Sequence, residues 1–144
     1  MLHGKIVVVK KTELAGCAIL DDYGRILLLH RSTDELSHWE LPGGKIEEDE
    51  IAEQAANREI GEELGVSVRL IGSLGVGEFA EGDHEYKYTW FQSAIVSGEP
   101  QICEPEKFDD FEYFELEDLL SLALSPNMQV FLEKIFSGEV SFIV

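Results

Sequence analysis

Basic residues are scarce in this chain. Eleven lysines and arginines stand against 29 aspartates and glutamates, for a net charge of −18. So acidic a surface repels nucleic acid and anionic membranes, which excludes nonspecific binding to either. A phosphorylated ligand would need that repulsion screened, and a divalent cation is the simplest means. Cysteine is almost absent. Cys17 and Cys103 make neither a disulfide framework nor a zinc site. Cys17 sits in an apolar run and reads as core, whereas Cys103 lies in a polar stretch. No apolar run reaches the length of a membrane span. The opening "MLHGKIVVVKK" has too short an apolar core for a signal peptide and no cleavage site. A soluble cytoplasmic protein is the expectation. Repeats, linkers and low-complexity tracts are also missing. The 144 residues, 44% hydrophobic and 10% aromatic, suit one folded domain spanning 1–144.

What is present alternates irregularly between strand and helix patterns. "KIVVVKK" (Lys5–Lys11) is a short β-branched run. "LAGCAIL" and "RILLLHR" flank the turn signal "DDYG" (Asp21–Gly24), which predicts a hairpin. Ser32 to His38 is polar and reads as a loop. Helix signals begin near Glu48–Ile51 and stop at Gly65, a suitable residue just past a helix end. "VSVRLIGSLGVGEF", "YKYTWFQSAIV" and "FEYFEL" are strand-like, the first two joined by a turn at "EGDH". "EDLLSLAL" predicts a short helical turn, and "PNMQVFLEKIF" an amphipathic helix started by Pro126. Together they predict an α/β fold with a mixed sheet covered by helices.

The helix before Gly65 is unusual. At about 100° per residue, Ala52, Ala56, Ile60 and Leu64 form one apolar stripe, with Gln54, Arg58 and Gly61 roughly opposite. Glu59, Glu62 and Glu63 lie on the flank between, beside small alanines. Carboxylates at this spacing repel one another. A solvated acidic face belongs opposite the apolar stripe, not at its edge. Partly buried carboxylates are tolerable where something positive neutralises them. Oxygen donors without nitrogen or sulfur suit Mg²⁺ or Mn²⁺, which bridge to substrate phosphates.

The wider spacing carries a resemblance. From Gly44, five residues lead to Glu50, and seven more to "REIGEELGV". This matches the Nudix box at all nine specified positions over 23 residues. The chain resembles the Nudix hydrolase family. The resemblance implies an α/β/α sandwich with a central mixed β-sheet, and cleavage of a nucleoside diphosphate linked to a group X by water attack on phosphorus. It implies that Glu59, Glu62 and Glu63 hold Mg²⁺ or Mn²⁺ and orient or deprotonate the water, with Glu59 and Glu63 as the main ligands. Gly44 would supply a backbone carbonyl or tight turn near the metal. Glu50 and Arg58 match structural positions, Arg58 tying Glu50 and the loop together from the far side of the helix. A further metal-approaching glutamate is expected from "CEPEKFDDFEYFEL", with Glu106 the first choice and Glu104 the second.

The "WELPGGK" start and the "SPNMQVFLEKI" segment are similar to the MutT-like branch. That implies hydrolysis of a nucleoside triphosphate, an oxidised purine form among them, to the monophosphate and pyrophosphate. Asn127 occupies the place of a base-reading Asn; helix capping is its structural alternative. Trp39, Tyr88 and Phe111 are candidate stacking residues, although aromatics in strands are more often core. ADP-ribose and dinucleoside polyphosphate types carry a proline or tyrosine that is absent or out of register here, at Glu81 and Tyr86. A binding-only regulator would have lost box residues. The expected partner is a small nucleotide, not nucleic acid or membrane. Many relatives pair as homodimers, which nothing in this sequence demands.

Metal binding at Glu59, Glu62 and Glu63 should stabilise the native state by mass action. The melting temperature is expected to rise with millimolar Mg²⁺ or Mn²⁺ and not with NaCl of matched ionic strength. Equal shifts in both salts would mean only general screening of the −18 charge.

Overall fold

A computed structural model describes Gly4 and residues 10–144. The elements are β1 (Lys10–Ile19), β2 (Ile26–Ser32), β3 (Ser37–Glu40), β4 (Gly43–Lys45), α1 (Ala52–Leu64), β5 (Ser67–Glu81), β6 (His84–Ser97) and β7 (Phe108–Phe114). A 3-10 turn (Leu116–Ser121) and α2 (Pro126–Phe136) complete the order. The expected "KIVVVKK" run lies, through Val9, outside the described residues. No helix among the described residues is long and apolar enough to cross a membrane.

The expected mixed sheet is four-stranded, ordered β4-β1-β6-β5. Its β1–β6 pairing is parallel and its other pairings are antiparallel. A second, antiparallel sheet ordered β3-β2-β7 was not anticipated. Its existence corrects the hairpin expected around "DDYG". The turn is there: Asp21 Oδ1 accepts from the Tyr23 and Arg25 amides at 2.9 Å. The two strands then part after one isolated bridge, Leu20–Ile26, and enter different sheets. The reason is legible in their burial. Neither run alternates: residues 15–19 of β1 and 26–29 of β2 are buried on both faces. A strand apolar on both faces belongs in the middle of a covered sheet, not in a two-stranded ribbon.

The two faces feed two cores. Ala15, Cys17, Ile19, Leu27 and Leu29 pack with Ala55, Ala56, Ile60 and Leu64 of α1. Ala18, Ile26 and Leu28 pack with Tyr88, Trp90, Leu119, Met128, Phe131 and Leu132 on the α2 side. Residues next to one another in sequence thus point into opposite layers, as the two-residue period of a strand requires. The polar stretch read as a loop is shorter than expected: β2 runs to Ser32 and β3 starts at Ser37. The "EGDH" turn joins β5 and β6 as a hairpin closed by the Glu81–His84 pair.

Both helices end where their sequences say. Gly65 adopts φ 69° and its N–H bonds to the Gly61 carbonyl at 3.0 Å, closing α1 in a left-handed cap. Pro126 opens α2 behind Ser125, whose Oγ accepts from the Met128 amide at 3.2 Å. Within β5, Gly77 faces the Trp90 indole so closely that an added Cβ would lie 2.2 Å from its ring.

Gly77→Ala should therefore overpack the α2-side core. A loss of about 1–3 kcal/mol is expected, read as a lower urea midpoint with an unchanged slope. A midpoint equal to that of the wild type would show that the indole moves aside freely.

Candidate active site

α1 carries the acidic flank toward the Gly43–Gly44 segment. β4 is short because both glycines serve close approach. A Cβ at Gly44 would lie 2.4–2.7 Å from the Glu59 carboxyl atoms, and one at Gly43 would lie 2.2 Å from the Tyr88 hydroxyl. The Gly43 N–H donates to Glu63 Oε1 at 2.8 Å. Glu63 is 4% exposed. Burial, then the Glu59 charge, pushes its pKa well above the ordinary carboxylate range, against the pull of the Gly43 amide. Glu59 is also raised by burial, with Arg58 opposing. Glu62 is about half exposed, at 49% of its side chain.

Arg58 is more central than its expected place on the far side of the helix. Its Nε and Nη2 grip both oxygens of Glu50 at 2.7 and 3.0 Å, and Nη2 also donates to the Lys45 carbonyl at 2.9 Å. That fork ties the loop to the helix, as anticipated. Nη1, however, turns back to Glu59 at 3.0 Å and Glu62 at 3.2 Å. The hydrogen bond from Arg58 holds the Glu50 carboxyl below its usual range. The last turn of α1 carries two glutamates and no base, against the helix dipole. Arg58 is the local compensation.

Of the two loop glutamates, Glu104 lies nearer the acidic cluster. Gln101 N–H bonds to the Leu64 carbonyl and Cys103 N–H to the Glu63 carbonyl, so the 101–104 loop caps the C-terminal end of α1. That docking sets Glu104 beside the cluster, where its charge raises both Glu59 and Glu63. Glu106 is exposed. Sequence spacing could not show this, because the docking uses backbone amides.

A cavity of about 310 Å³ opens on the same glycines. Its lining includes Gly43 and Gly44, the polar Arg31, His38, Glu40 and Asn127, and the aromatic Phe79, Tyr86 and Tyr88. Arg31, His38, Glu40 and Phe79 were not singled out in the sequence, and Tyr86 only as a tyrosine out of register. The signal for Arg31 was its rarity: one of eleven bases, at the end of an apolar run. Its guanidinium holds Glu40 at 2.7–3.2 Å and lies 4.7 Å from the Phe108 ring centroid. His38 Nε2 meets Glu40 at 2.9 Å. These bonds keep Glu40 ionised below its usual range despite burial.

Two of the four candidate base contacts line the cavity. Tyr88 does, with its hydroxyl buried and unpartnered among the described residues. Asn127 does as well, 6% exposed, with Oδ1 accepting from Trp90 Nε1 at 3.0 Å. It is not the helix cap, a place that Ser125 holds. Trp39 and Phe111 do not line the cavity. Trp39 packs between the His30 and Phe114 rings, 4.8 and 4.9 Å away. Phe111 pairs with Leu29 and packs on the α1-side core. On β3 the side chains of His38 and Glu40 line the cavity while Trp39 between them takes the opposite face, and Phe111 of β7 packs on a core.

The donors are oxygens only, crowded by burial and like charge, and the Gly44 cradle leaves room that any side chain would fill. This chemistry fits a hard divalent cation such as Mg²⁺ or Mn²⁺. As the side chains stand, no three His, Cys, Asp or Glu groups among the described residues converge at ligand spacing. Arg58 occupies Glu59 and Glu62, and the Gly43 amide occupies Glu63. An ion would take Glu59 from Arg58.

A NUDIX domain profile matches residues 10–135. The chain is 32% identical to a crystal structure of a MutT NUDIX hydrolase from Burkholderia pseudomallei, covering 88% of this chain and 98% of that one at a TM-score of 0.79. It is 29% identical to an RNA pyrophosphohydrolase of Bartonella tribocorum over 135 residues, 78% of each chain. It is 40% identical to an 8-oxo-dGTP diphosphatase of Proteus vulgaris over 63 residues, 41% of this chain and 54% of that one. Profile, fold and carboxylate flank agree: the chain belongs to the Nudix hydrolase family, as a MutT-like pyrophosphohydrolase.

Proposed function

We propose that the protein hydrolyses a free nucleoside triphosphate, an oxidised purine form among them, to the monophosphate and pyrophosphate with Mg²⁺ or Mn²⁺. The observation that carries this reading is the shared floor. Gly43 and Gly44 line the cavity, and the same two residues touch Glu63 and Glu59. A base in the aromatic end would send its phosphates over the glycines to the carboxylates. Names of relatives support the substrate class: 8-oxo-dGTP diphosphatase and RNA pyrophosphohydrolase. The net charge of −18 favours a free nucleotide over an RNA end.

Each residue then has a task. Glu59 and Glu63, with the Gly44 carbonyl and Glu104, would hold the ion, and the exposed Glu62 would reach it from outside. When bound, the ion neutralises the phosphates and acidifies water. Water oxygen attacks phosphorus, the bond to the leaving pyrophosphate breaks, and a carboxylate of the cluster accepts the water proton. Arg31, already oriented by Glu40, is the cavity's cation for a phosphate. Asn127 contacts the base and Tyr88 packs beside it. ADP-ribose and dinucleoside polyphosphates are the alternative substrates, and a binding-only regulator is disfavoured by the intact box.

A panel of nucleoside triphosphates, ADP-ribose and diadenosine tetraphosphate, run with Mg²⁺ and with chelator, tests the reading. Pyrophosphate release from triphosphates, abolished by chelator, is expected. Turnover of ADP-ribose alone would replace it with the nucleotide-sugar reading. Glu63→Gln keeps an oxygen for the Gly43 amide, so the fold should persist. Its turnover should fall at least about 10²-fold. A burial-raised carboxyl binds its proton more tightly when folded, so its ionised form weakens the fold above the ordinary carboxylate pKa. The glutamine should therefore melt no lower than wild type at pH 7.5. A near-wild-type rate would remove Glu63 from the chemistry.

Gly44→Ala would push Glu59 aside. A rate loss on the order of 10²-fold is expected from a shift of about 1 Å, together with a weaker Mg²⁺ titration. Unchanged metal dependence would mean that Glu59 does not depend on this glycine.

A further inference from the structure

The Tyr88 hydroxyl is buried and has no hydrogen-bond partner among the described residues. Its neighbours show where the side chain reaches. β6 runs parallel to β1, with Tyr88 beside Leu14 and Trp90 beside Gly16. Gly16 in turn pairs with Gly43 across the β1–β4 ladder. A Cβ added at Gly16 would lie 2.1 Å from the hydroxyl oxygen, and one added at Gly43 would lie 2.2 Å from it. The phenol therefore extends over β1 and ends in the slot that side chains at both glycines would fill. The Pro42 carbonyl beside that slot already accepts from the Cys17 amide at 3.0 Å.

Such a hydroxyl weakens the fold. A buried donor without an acceptor carries its whole desolvation penalty, and a phenylalanine ring would avoid it. Burial, then the Glu63 charge, raises its pKa well above the ordinary phenol range, so it stays a protonated donor. Two glycines thus accommodate a group that adds nothing to the core. What the group does touch is Gly43. β4 is three residues long and lies at the edge of its sheet, so β1 holds it from one side only. The Gly43 N–H donates to Glu63 Oε1 at 2.8 Å. Any shift of the Gly43 Cα carries that donor with it, because the two atoms are bonded neighbours.

We propose that Tyr88 is a positioning residue for Glu63: its hydroxyl, wedged between Gly16 and Gly43, fixes the Gly43 amide that orients the Glu63 carboxyl. The ring serves the cavity wall, and the oxygen serves the carboxyl through one glycine. Phenylalanine at this position would leave a one-atom gap on that face of Gly43, and the edge strand would settle into it. A carboxyl displaced in this way leaves substrate binding intact and spoils its alignment with the reacting atoms. The inference rests on the hydrolytic reading of Glu63 given above.

Tyr88→Phe removes one oxygen and nothing else, and amide hydrogen exchange reads the contact without substrate or metal. The Gly43 amide is expected to exchange at least about tenfold faster in the variant. The Gly65 amide, bonded to the Gly61 carbonyl at the end of α1, should be unchanged. The melting temperature should be no lower than that of the wild type, since an unsatisfied group has gone. On the best triphosphate with saturating Mg²⁺, kcat should fall about tenfold while KM stays within about threefold. Lost packing alone would instead lower the melting temperature and speed both amides together. Unchanged Gly43 exchange overturns the role, as does a variant that melts lower or fails to fold. A raised KM with kcat intact would make Tyr88 a cavity wall only, and a wild-type rate in the variant sinks the positioning role alone. If the wild type hydrolyses no nucleotide, the hydrolytic reading falls, and the exchange rates still decide whether Tyr88 holds Gly43.

Discussion

Two carboxylates that repel each other, Glu59 and Glu63, are withdrawn from water at the end of one helix, and the rest of the structure accommodates that fact. Burial and mutual charge raise both. Isolated buried charge of this kind would cost the fold several kcal/mol. The chain answers with directed donors, not with a large positive field, which its composition could not supply. Arg58 covers Glu59 and Glu62 while gripping Glu50, and the Gly43 amide reaches Glu63. The arrangement remains under-compensated, which makes it receptive to a hard cation and to the phosphates that a cation brings.

The glycines couple this acidic end to the cavity. Gly43 and Gly44 have no side chains, so one short strand can lie against Glu59 and Tyr88 at once and still leave a floor open to a ligand. Among the cavity's lining residues, Arg31 is oriented by Glu40 and Asn127 by Trp90. In both pairs a buried or half-buried partner fixes a polar group before any ligand arrives, which reduces the ordering cost of binding. The two cores on either side of β1 and β2 make that possible. Each wall of the cavity is backed by packed side chains.

Much of this was legible from residues alone. α1 and α2 follow from apolar periodicity, a glycine stop and a proline start. The carboxylate flank and the box spacing placed Glu59, Glu62, Glu63, Glu50, Arg58 and Gly44 together before any coordinates. The parting of β1 and β2 into separate sheets was not legible. A turn signal reports local chemistry, and strand partners are chosen by distant residues. That Trp39 and Phe111 stay out of the cavity lining was not legible, because an aromatic in a strand gives no hint of which layer it enters. The nearness of Glu104 to the cluster was not legible either, because backbone amides, identical in every residue type, decide how the 101–104 loop docks.

The sequence by itself determined the family and the helix that bears the carboxylates, because these depend on residue type and short-range spacing. Tertiary structure alone decided which side chains share the cavity. It brought Arg31, His38 and Glu40 from the second sheet to the glycine floor, and it set Trp90, 37 residues away in sequence, behind Asn127. An amide's two ends differ only in what they face, and what they face is fixed by packing.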